Sequence, residues 1–514
     1  MNGESDSAVP VGQRDGPDIV GPDVDDGLKV KTAKGVAWTG AVQIAAQPLT
    51  FLVGVVLARL LLPRDFGLAG MAAIFLGVVD MVNEFGLTAA VIQKPELTED
   101  ELDSTFWTNL LIGFASTTVV ALGAKPVATY FHEPRLVPIL LVLSLGFTLN
   151  SLFSIHAALL RRNMQFRYVA SYQFVGVLAY SVASVSMALA GAGVWSLVIG
   201  GMLMSVVPGI LIFRRARWVP RRHLRFRETG HLVTFGAKVT VSSLFNYGYT
   251  NLDYLTIGRT MGAGPLGVYS LAYNLVMFPF RKISSTLVAA LFPAFSTIRD
   301  DLQRMGRAYL KATRWLAMIA WPLLGIAAVL APQLIPGLYG TKWAAAVIPF
   351  QVLCLAGAQR AVGTIHGLVL RSRGRPEIEM YWSIASFVIL GACLLVGYRF
   401  GLVGIAVAVA AAAVIPAPFI QMSSLRLIDV RFRDYLRQLG PGAVLTVLSL
   451  IIALVLRIAL ASAPDLVRVV VAGAAALAVA VLGAYVLWRA DVLEVFTLVR
   501  NMVRKRRGAA SADQ

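Results

Sequence analysis

The chain carries ionisable side chains inside segments that are otherwise continuously apolar. An ionisable group at the middle of a membrane span costs at least about 2.5–3.5 kcal/mol on insertion scales, so each such residue needs a reason to be there. Cations in such positions could hold an anionic head group, and arginine suits phosphate because its planar fork donates two parallel hydrogen bonds. The candidate substrate-binding cations are Lys238, Arg281, Lys282 and Arg360.

A second set of polar residues could bind a coupling proton or cation, or simply line a polar cavity. Asp80 and Glu84 are four residues apart and therefore lie on one face of a helix. The alternative interpretation is structural, with Asp80 or Glu84 neutralising Arg281 or Lys282. The full set is Gln43, Gln47, Asp80, Glu84, Asn251 and Asp253.

The sequence contains no pattern typical of a metal site or of nucleophilic catalysis. The two cysteines, Cys354 and Cys393, lie in apolar runs and provide neither a disulfide framework nor metal-ligand spacing. The five histidines are scattered along the chain. His156 and His366 occur in similar stretches, where polar packing residues are favoured over a proton-sensing pair. We expect no metal and no cofactor.

The elements that position these residues are membrane-spanning helices. Of 514 residues, 57% are hydrophobic and only 14% are charged, whereas soluble domains have about 25% charged residues. Because a helix needs about 20 apolar residues to span a bilayer, we predict fourteen spans in an all-α polytopic membrane protein. They cover 35–57, 66–92, 106–124, 136–160, 168–190, 193–213, 232–258, 267–293, 315–340, 347–370, 380–398, 401–422, 440–460 and 466–488.

The distribution of charge gives an orientation. The 46 Lys and Arg residues outnumber the 28 Asp and Glu residues, which on its own would suggest nucleic-acid binding. With the N-terminus inside, however, inner segments hold roughly four times as many basic residues as outer loops, as the positive-inside rule requires. We therefore expect both termini inside and no nucleic-acid partner. The short outer loops argue against an extracytoplasmic catalytic domain, and no nucleotide-binding loop motif is present.

The chain contains a weak internal repeat. A shift of 200 residues pairs Arg59 with Arg259 and Gly67 with Gly267, and a shift of 210 pairs His156 with His366. Six helices per repeat place both halves in the same orientation, as a parallel repeat. The predicted fold is therefore two six-helix bundles plus two extra C-terminal helices. We expect the paired arginines to act as interfacial anchors rather than substrate contacts.

This layout divides the chain into six regions. Two of them are the bundles, and the others are terminal tails, a basic linker and an accessory helix pair that lies outside the repeat. The regions are an acidic disordered tail (1–27), the N-terminal bundle (28–213), a basic linker (214–231), the C-terminal bundle (232–425), accessory helices 13 and 14 (426–488) and a basic tail (489–514).

The opening of the membrane body resembles a known family. The stretches LKVKTAKGVAWTG (28–40) and LARLLLPRDFGLAGMAAIFLGVVDMVNEFGL (57–87) resemble polysaccharide biosynthesis proteins of the oligosaccharide flippase type. LLRRNMQFRY (159–168) and GVYSLAYNLVMFP (267–279) agree with that resemblance. The sequence departs from relatives of the peptidoglycan-precursor type because it has no Arg inside helix 1 and has a long acidic N-terminal tail.

The resemblance implies a flippase of the multidrug/oligosaccharidyl-lipid/polysaccharide exporter superfamily, a transporter rather than an enzyme. Its substrate would be an undecaprenyl-diphosphate-linked oligosaccharide, carried to the outer leaflet of the bacterial cytoplasmic membrane for exopolysaccharide, capsule or O-antigen. Partners would then be the lipid-linked oligosaccharide, membrane lipids and other polysaccharide assembly proteins. Three alternatives stay open: a cation-coupled multidrug exporter of the same superfamily, a membrane enzyme of polysaccharide assembly, and a non-transporting scaffold.

Overall fold

The computed structural model describes residues 26–83, 88, 91–92, 98–221, 247–278, 295, 301–489, 491 and 493, and within them it is helical, with no β-strand. The helices, in chain order, are α1 (Asp26–Leu60), α2 (Pro63–Asn83), α3 (Glu99–Phe131), α4 (Leu136–Arg162), α5 (Phe166–Leu189), α6 (Trp195–Ala216), α7 (247–261), α8 (263–278), α9 (Leu302–Tyr339), α10 (Val347–Ser372), α11 (Pro376–Gly397), α12 (Gly401–Val414), α13 (Ala417–Leu427), α14 (Phe432–Ala459) and α15 (Asp465–Leu487). A 3-10 turn, Thr341–Ala346, joins α9 to α10.

Ten helical segments among the described residues are long and apolar enough to cross a membrane. The all-helical, multi-pass class is thus confirmed. Residues 1–25 of the predicted acidic tail, much of the basic linker and most of the C-terminal tail lie outside the described residues, as do Glu84, Lys238, Arg281 and Lys282.

Local sequence signals set several helix boundaries. Thr98 and Glu101 form a capping box at the start of α3, in which the Thr98 hydroxyl accepts from the Glu101 backbone N–H at 3.2 Å. The Asp301 carboxylate caps α9 by accepting from the Arg304 N–H at 2.9 Å. Gly340, at φ +98°, then ends α9 in a conformation that favours glycine.

Proline divides one predicted span into two helices. We predicted one span over 401–422, kinked by its internal prolines, and in the structure α12 ends at Val414 and α13 begins at Ala417. Pro416 lies at the break, where its missing N–H and its ring interrupt the helical hydrogen bonds. Both sides of the break line a cavity, through Ala413 of α12 and through Ala417, Ile420 and Gln421 of α13.

The pair α14–α15 docks on α9 through close backbone contact. A Cβ atom added at Gly442 of α14 would lie 2.7 Å from the Ala317 carbonyl carbon of α9. Further along the same two helices, Arg457 Nη1 donates to the Val329 carbonyl at 3.0 Å. Small residues let membrane helices approach this closely and gain packing contacts that lipid cannot supply.

The Gly442 contact yields the first prediction. Gly442→Leu should destabilise the protein by about 1–3 kcal/mol, because the new side chain meets backbone that cannot move aside. Gly440→Leu, two residues away with open space around it, is the matched control. Thermal unfolding in detergent checks this, and equal midpoints for the two variants would contradict the proposed docking.

Candidate functional site

A cavity of about 830 Å³ lies between α2 and a group of C-terminal helices, α7, α8, α10, α11, α12 and α13. The helices place polar side chains toward it although their overall composition is apolar. The polar and aromatic lining includes Tyr249, Asn251, Tyr273, Asn274, Gln359, Arg360, His366, Glu379, Trp382 and Gln421.

Arg360 of α10 is held in the cavity wall by two tyrosines. Its NH1 donates to the Tyr273 hydroxyl at 2.9 Å, and its guanidinium carbon lies 5.7 and 5.9 Å from the ring centroids of Tyr249 and Tyr273. Such cation–π contacts stabilise a cation without neutralising it. A guanidinium has five N–H donors, so the arrangement can still bind an anion with good geometry.

Asp253 of α7 lies behind this wall, with only 2% of its surface exposed. Its Oδ2 accepts from the Tyr269 hydroxyl at 2.6 Å, and its Oδ1 accepts from the Tyr254 backbone N–H at 2.9 Å. The Asp253 carboxylate also attracts the Arg360 charge through space. Asp253 therefore supplies a counter-charge to Arg360 although these two described side chains form no direct ion pair, and it is not among the residues that line the cavity.

The remaining predicted residues are spread over three helices. Asn251 lines the cavity, and its Nδ2 donates to the Tyr247 carbonyl at 3.0 Å. Asp80 lies on an exposed part of α2, close enough to Tyr247 to interact with it electrostatically. Gln43 is exposed and Gln47 is half-buried, both on α1, and neither is among the residues lining the cavity.

The cavity is also lined by an acid and a histidine that the site prediction did not include. Glu379 of α11 accepts two hydrogen bonds from Arg371, at 2.9 Å from Nε and 2.7 Å from NH2. The predicted span began at residue 380, so Glu379 was placed outside the membrane body. His366 also lines the cavity, with its Nδ1 against the Gly363 carbonyl.

The repeat-related histidines have different surroundings. His156 is fully buried, 4.7 Å from the ring of Phe213 and 5.3 Å from that of Trp218. Its Nδ1 lies 3.0 Å from the Leu152 carbonyl oxygen. His156 is thus a packing residue, whereas His366 faces the cavity.

Two proteins illustrate what this chain is similar to in sequence. The lipopolysaccharide biosynthesis protein WzxC of Escherichia coli (strain K12) is 28% identical over 381 residues, covering 74% of this chain and 77% of the relative. The succinoglycan biosynthesis transport protein ExoT of Rhizobium meliloti (strain 1021) is 25% identical over 352 residues, covering 68% and 71%. The expectation of a transporter rather than an enzyme is confirmed by this likeness.

A solved structure shares the fold. The lipid II flippase MurJ, in an inward closed conformation, superposes with a TM-score of 0.72 at 12% identity, covering 88% of this chain and 99% of MurJ. A family model described as polysaccharide biosynthesis protein matches residues 56–348, more than half of the chain. The chain therefore belongs to the polysaccharide biosynthesis protein family.

Proposed function

We propose that this protein flips an undecaprenyl-diphosphate-linked oligosaccharide from the inner to the outer leaflet of the bacterial cytoplasmic membrane. The observation that carries this proposal is Arg360, a cation held by Tyr249 and Tyr273 in the wall of a large cavity between apolar helices. A diphosphate is the kind of dianionic, oxygen-rich group that a guanidinium binds well. The transported unit would serve exopolysaccharide, capsule or O-antigen assembly.

The rest of the lining suits a sugar. Asn251, Asn274, Gln359 and Gln421 offer amide donors and acceptors, and Trp382 offers an aromatic face. Ligand sites commonly combine apolar and aromatic walls with a few such polar groups that fix orientation. The oligosaccharide would occupy this cavity while the polyprenyl chain remains in lipid.

The proposed architecture has fourteen spanning helices, with two six-helix bundles related by a parallel repeat, two accessory helices and both termini in the cytoplasm. Contacts at Gly67 and Gly267 support the repeat. A Cβ added at Gly67 would lie 1.7 Å from the Ala263 carbonyl oxygen, and one added at Gly267 would lie 1.7 Å from the Pro63 carbonyl oxygen. These four residues form two pairs related by the shift of 200, as expected for a duplicated hairpin. Rocking of the two bundles would alternate access to the cavity.

The main alternative function is a cation-coupled multidrug exporter, and in such an exporter acidic residues would dominate the cavity lining. Among the described lining residues the one acid is Glu379, which Arg371 pairs, so the lining favours an anionic substrate. A drug-susceptibility panel on a deletion strain separates the two functions, because unchanged susceptibility together with loss of surface polysaccharide supports the flippase.

Arg360→Ala should reduce surface polysaccharide at least about tenfold at normal protein level, because a lost charged hydrogen bond to substrate removes 1.5 kcal/mol or more. Arg360→Lys should be only partly active, because an ammonium cannot make the bidentate contact. Arg399→Ala, at an exposed residue away from the cavity, is the control. Normal polysaccharide export by a variant in which both Arg281 and Arg360 are replaced by Ala would show that these residues do not form the proposed anion site.

The coupling role proposed for Asp80, Glu84 and Asp253 gives a further prediction. Asp253→Asn keeps one oxygen to accept from the Tyr254 N–H, and its amide can donate to the Tyr269 hydroxyl oxygen, but it removes the charge. It should therefore lower gradient-driven transport in vesicles about tenfold or more, with a smaller loss of stability than a variant that leaves a buried carboxylate oxygen without a donor. Tyr269→Phe instead leaves a buried carboxylate oxygen without its donor, and should lower stability by about 1–3 kcal/mol. A transport rate in vesicles that is independent of both ion gradients and membrane potential would exclude the coupling role. Thermal unfolding measures the difference in stability between the two variants.

A further inference from the structure

Two arginines at one end of the molecule each bind the end of a distant helix. Arg59, in the last turn of α1, donates from Nε to the Leu338 carbonyl at 2.7 Å and from NH2 to the Gly337 carbonyl, both in the last turn of α9. Arg259, near the end of α7, donates from NH1 to the Tyr130 carbonyl of α3 at 2.7 Å. The last carbonyls of a helix lack intrahelical partners and carry partial negative charge, so a guanidinium satisfies them well.

These contacts differ from the sequence expectation. Both arginines are exposed, as interfacial anchors would be, but each is engaged by backbone from the other part of the molecule. Arg59 joins α1 to α9, and Arg259 joins α7 to α3. Under the shift of 200 the two arginines correspond, so one interaction occurs twice, in reciprocal directions.

Backbone contact accompanies the arginines at the same end. The start of α2 touches the start of α8 at Gly67 and Ala263, and again at Pro63 and Gly267. We call these four residues the seam. Because no side chain separates the two backbones at the glycines, even a small displacement of the helices removes the contact.

The seam also lies directly beside the cavity. On α2 the cavity lining includes Phe66 and Gly70, which flank Gly67, and on α8 it includes Ser270, one turn beyond Gly267. The seam therefore forms one end wall of the cavity. Opening the cavity at this end requires α2 to leave α8, and requires the ends of α1 and α7 to leave those of α9 and α3.

We propose that Arg59 and Arg259 are paired latches that hold the outer end of the cavity shut, and that both release their carbonyls when the cavity opens outward. This inference rests on the proposed function, which supplies the need for such an opening. The closed end is the one at which α1 and α3 finish, which the proposed topology places outside.

The two latches differ in the number of other hydrogen bonds that join the same helices. Beside Arg59, Lys342 Nζ donates to the Arg59 carbonyl and Trp343 Nε1 donates to the Ala58 carbonyl, both at 2.8 Å. These two bonds use backbone acceptors and survive truncation of the Arg59 side chain. At the other junction, within the described residues, Arg259 makes the hydrogen bonds that join α7 to the end of α3, to Tyr130 and to the following residue His132. Loss of Arg259 should therefore loosen the closed end more than loss of Arg59.

The test measures access to the cavity from the outer side. The parent protein for this test carries Cys354→Ser, Cys393→Ser and Asn274→Cys, so that its one cysteine lines the cavity. The assay measures the rate at which this cysteine reacts with a membrane-impermeant maleimide added to right-side-out vesicles. Arg259→Ala should raise the labelling rate roughly tenfold, because bonds to charged groups are among the stronger hydrogen bonds. Arg59→Ala should raise it less, and the double variant should approach the product of the two effects.

Arg135→Ala is the matched control, since Arg135 is an exposed residue at the start of α4, at the same end. Labelling of the double variant at the rate of the parent would overturn the proposal, as would a rise seen only from the cytoplasmic side in inverted vesicles. Labelling requires no transport, so failure of the latches is distinguishable from failure of the flippase function, which Arg360→Ala tests.

A second route covers the case in which a latch variant fails to fold. Gly67→Leu forces a side chain against the Ala263 carbonyl and should also speed labelling, whereas Gly201→Leu, with open space around it, should not. Arg259→Lys keeps the charge and a donor, and should label at a rate between those of the parent and Arg259→Ala. A Gly67→Leu protein that folds and labels at the rate of Gly201→Leu would contradict the seam as an end wall.

Discussion

Hydrocarbon offers no partner to a polar group, and most of the architecture of this protein follows from that constraint. Backbone groups within the spans are satisfied by helices, and carbonyls left over at helix ends can accept from side chains of other helices. At the ends of α3 and α9 those donors are arginine side chains from α7 and α1. Closure of one end of the molecule and satisfaction of its helix ends are therefore the same set of contacts.

The same constraint explains how a cation can remain available inside the cavity. A direct ion pair would neutralise Arg360 and weaken its attraction for a substrate. Instead, Tyr249 and Tyr273 hold the guanidinium through their rings and one hydroxyl, and Asp253 balances its charge from behind the wall. Asp253 is in turn satisfied by Tyr269, so the cost of burying it is met within α7 and α8.

The cavity and the seam share α2 and α8, so the proposed binding and the proposed closure would involve the same helices. α8 supplies Tyr273, which holds Arg360, and begins at the seam, where Gly267 touches Pro63 of α2. Movement of α8 away from α2 would therefore both open the cavity and shift the position of its cation. Glu379 and His366 line the same cavity on α11 and α10, where Arg371 holds the carboxylate.

The sequence by itself determined the class of fold, the transport family and the presence of Arg360 within a segment apolar enough to span a membrane, because composition, loop charge and an interrupted apolar run are local properties. It also paired Arg59 with Arg259 and Gly67 with Gly267. Only the tertiary structure decided what these residues touch. It shows that Asp253 lies behind the cavity wall and that Glu379 lines the cavity. It also shows that Arg59 and Arg259, which we expected to be interfacial anchors, donate to carbonyls at the ends of other helices. Contacts between residues far apart in the chain depend on how helices cross, and hydrophobic periodicity does not encode the partner of a given side chain.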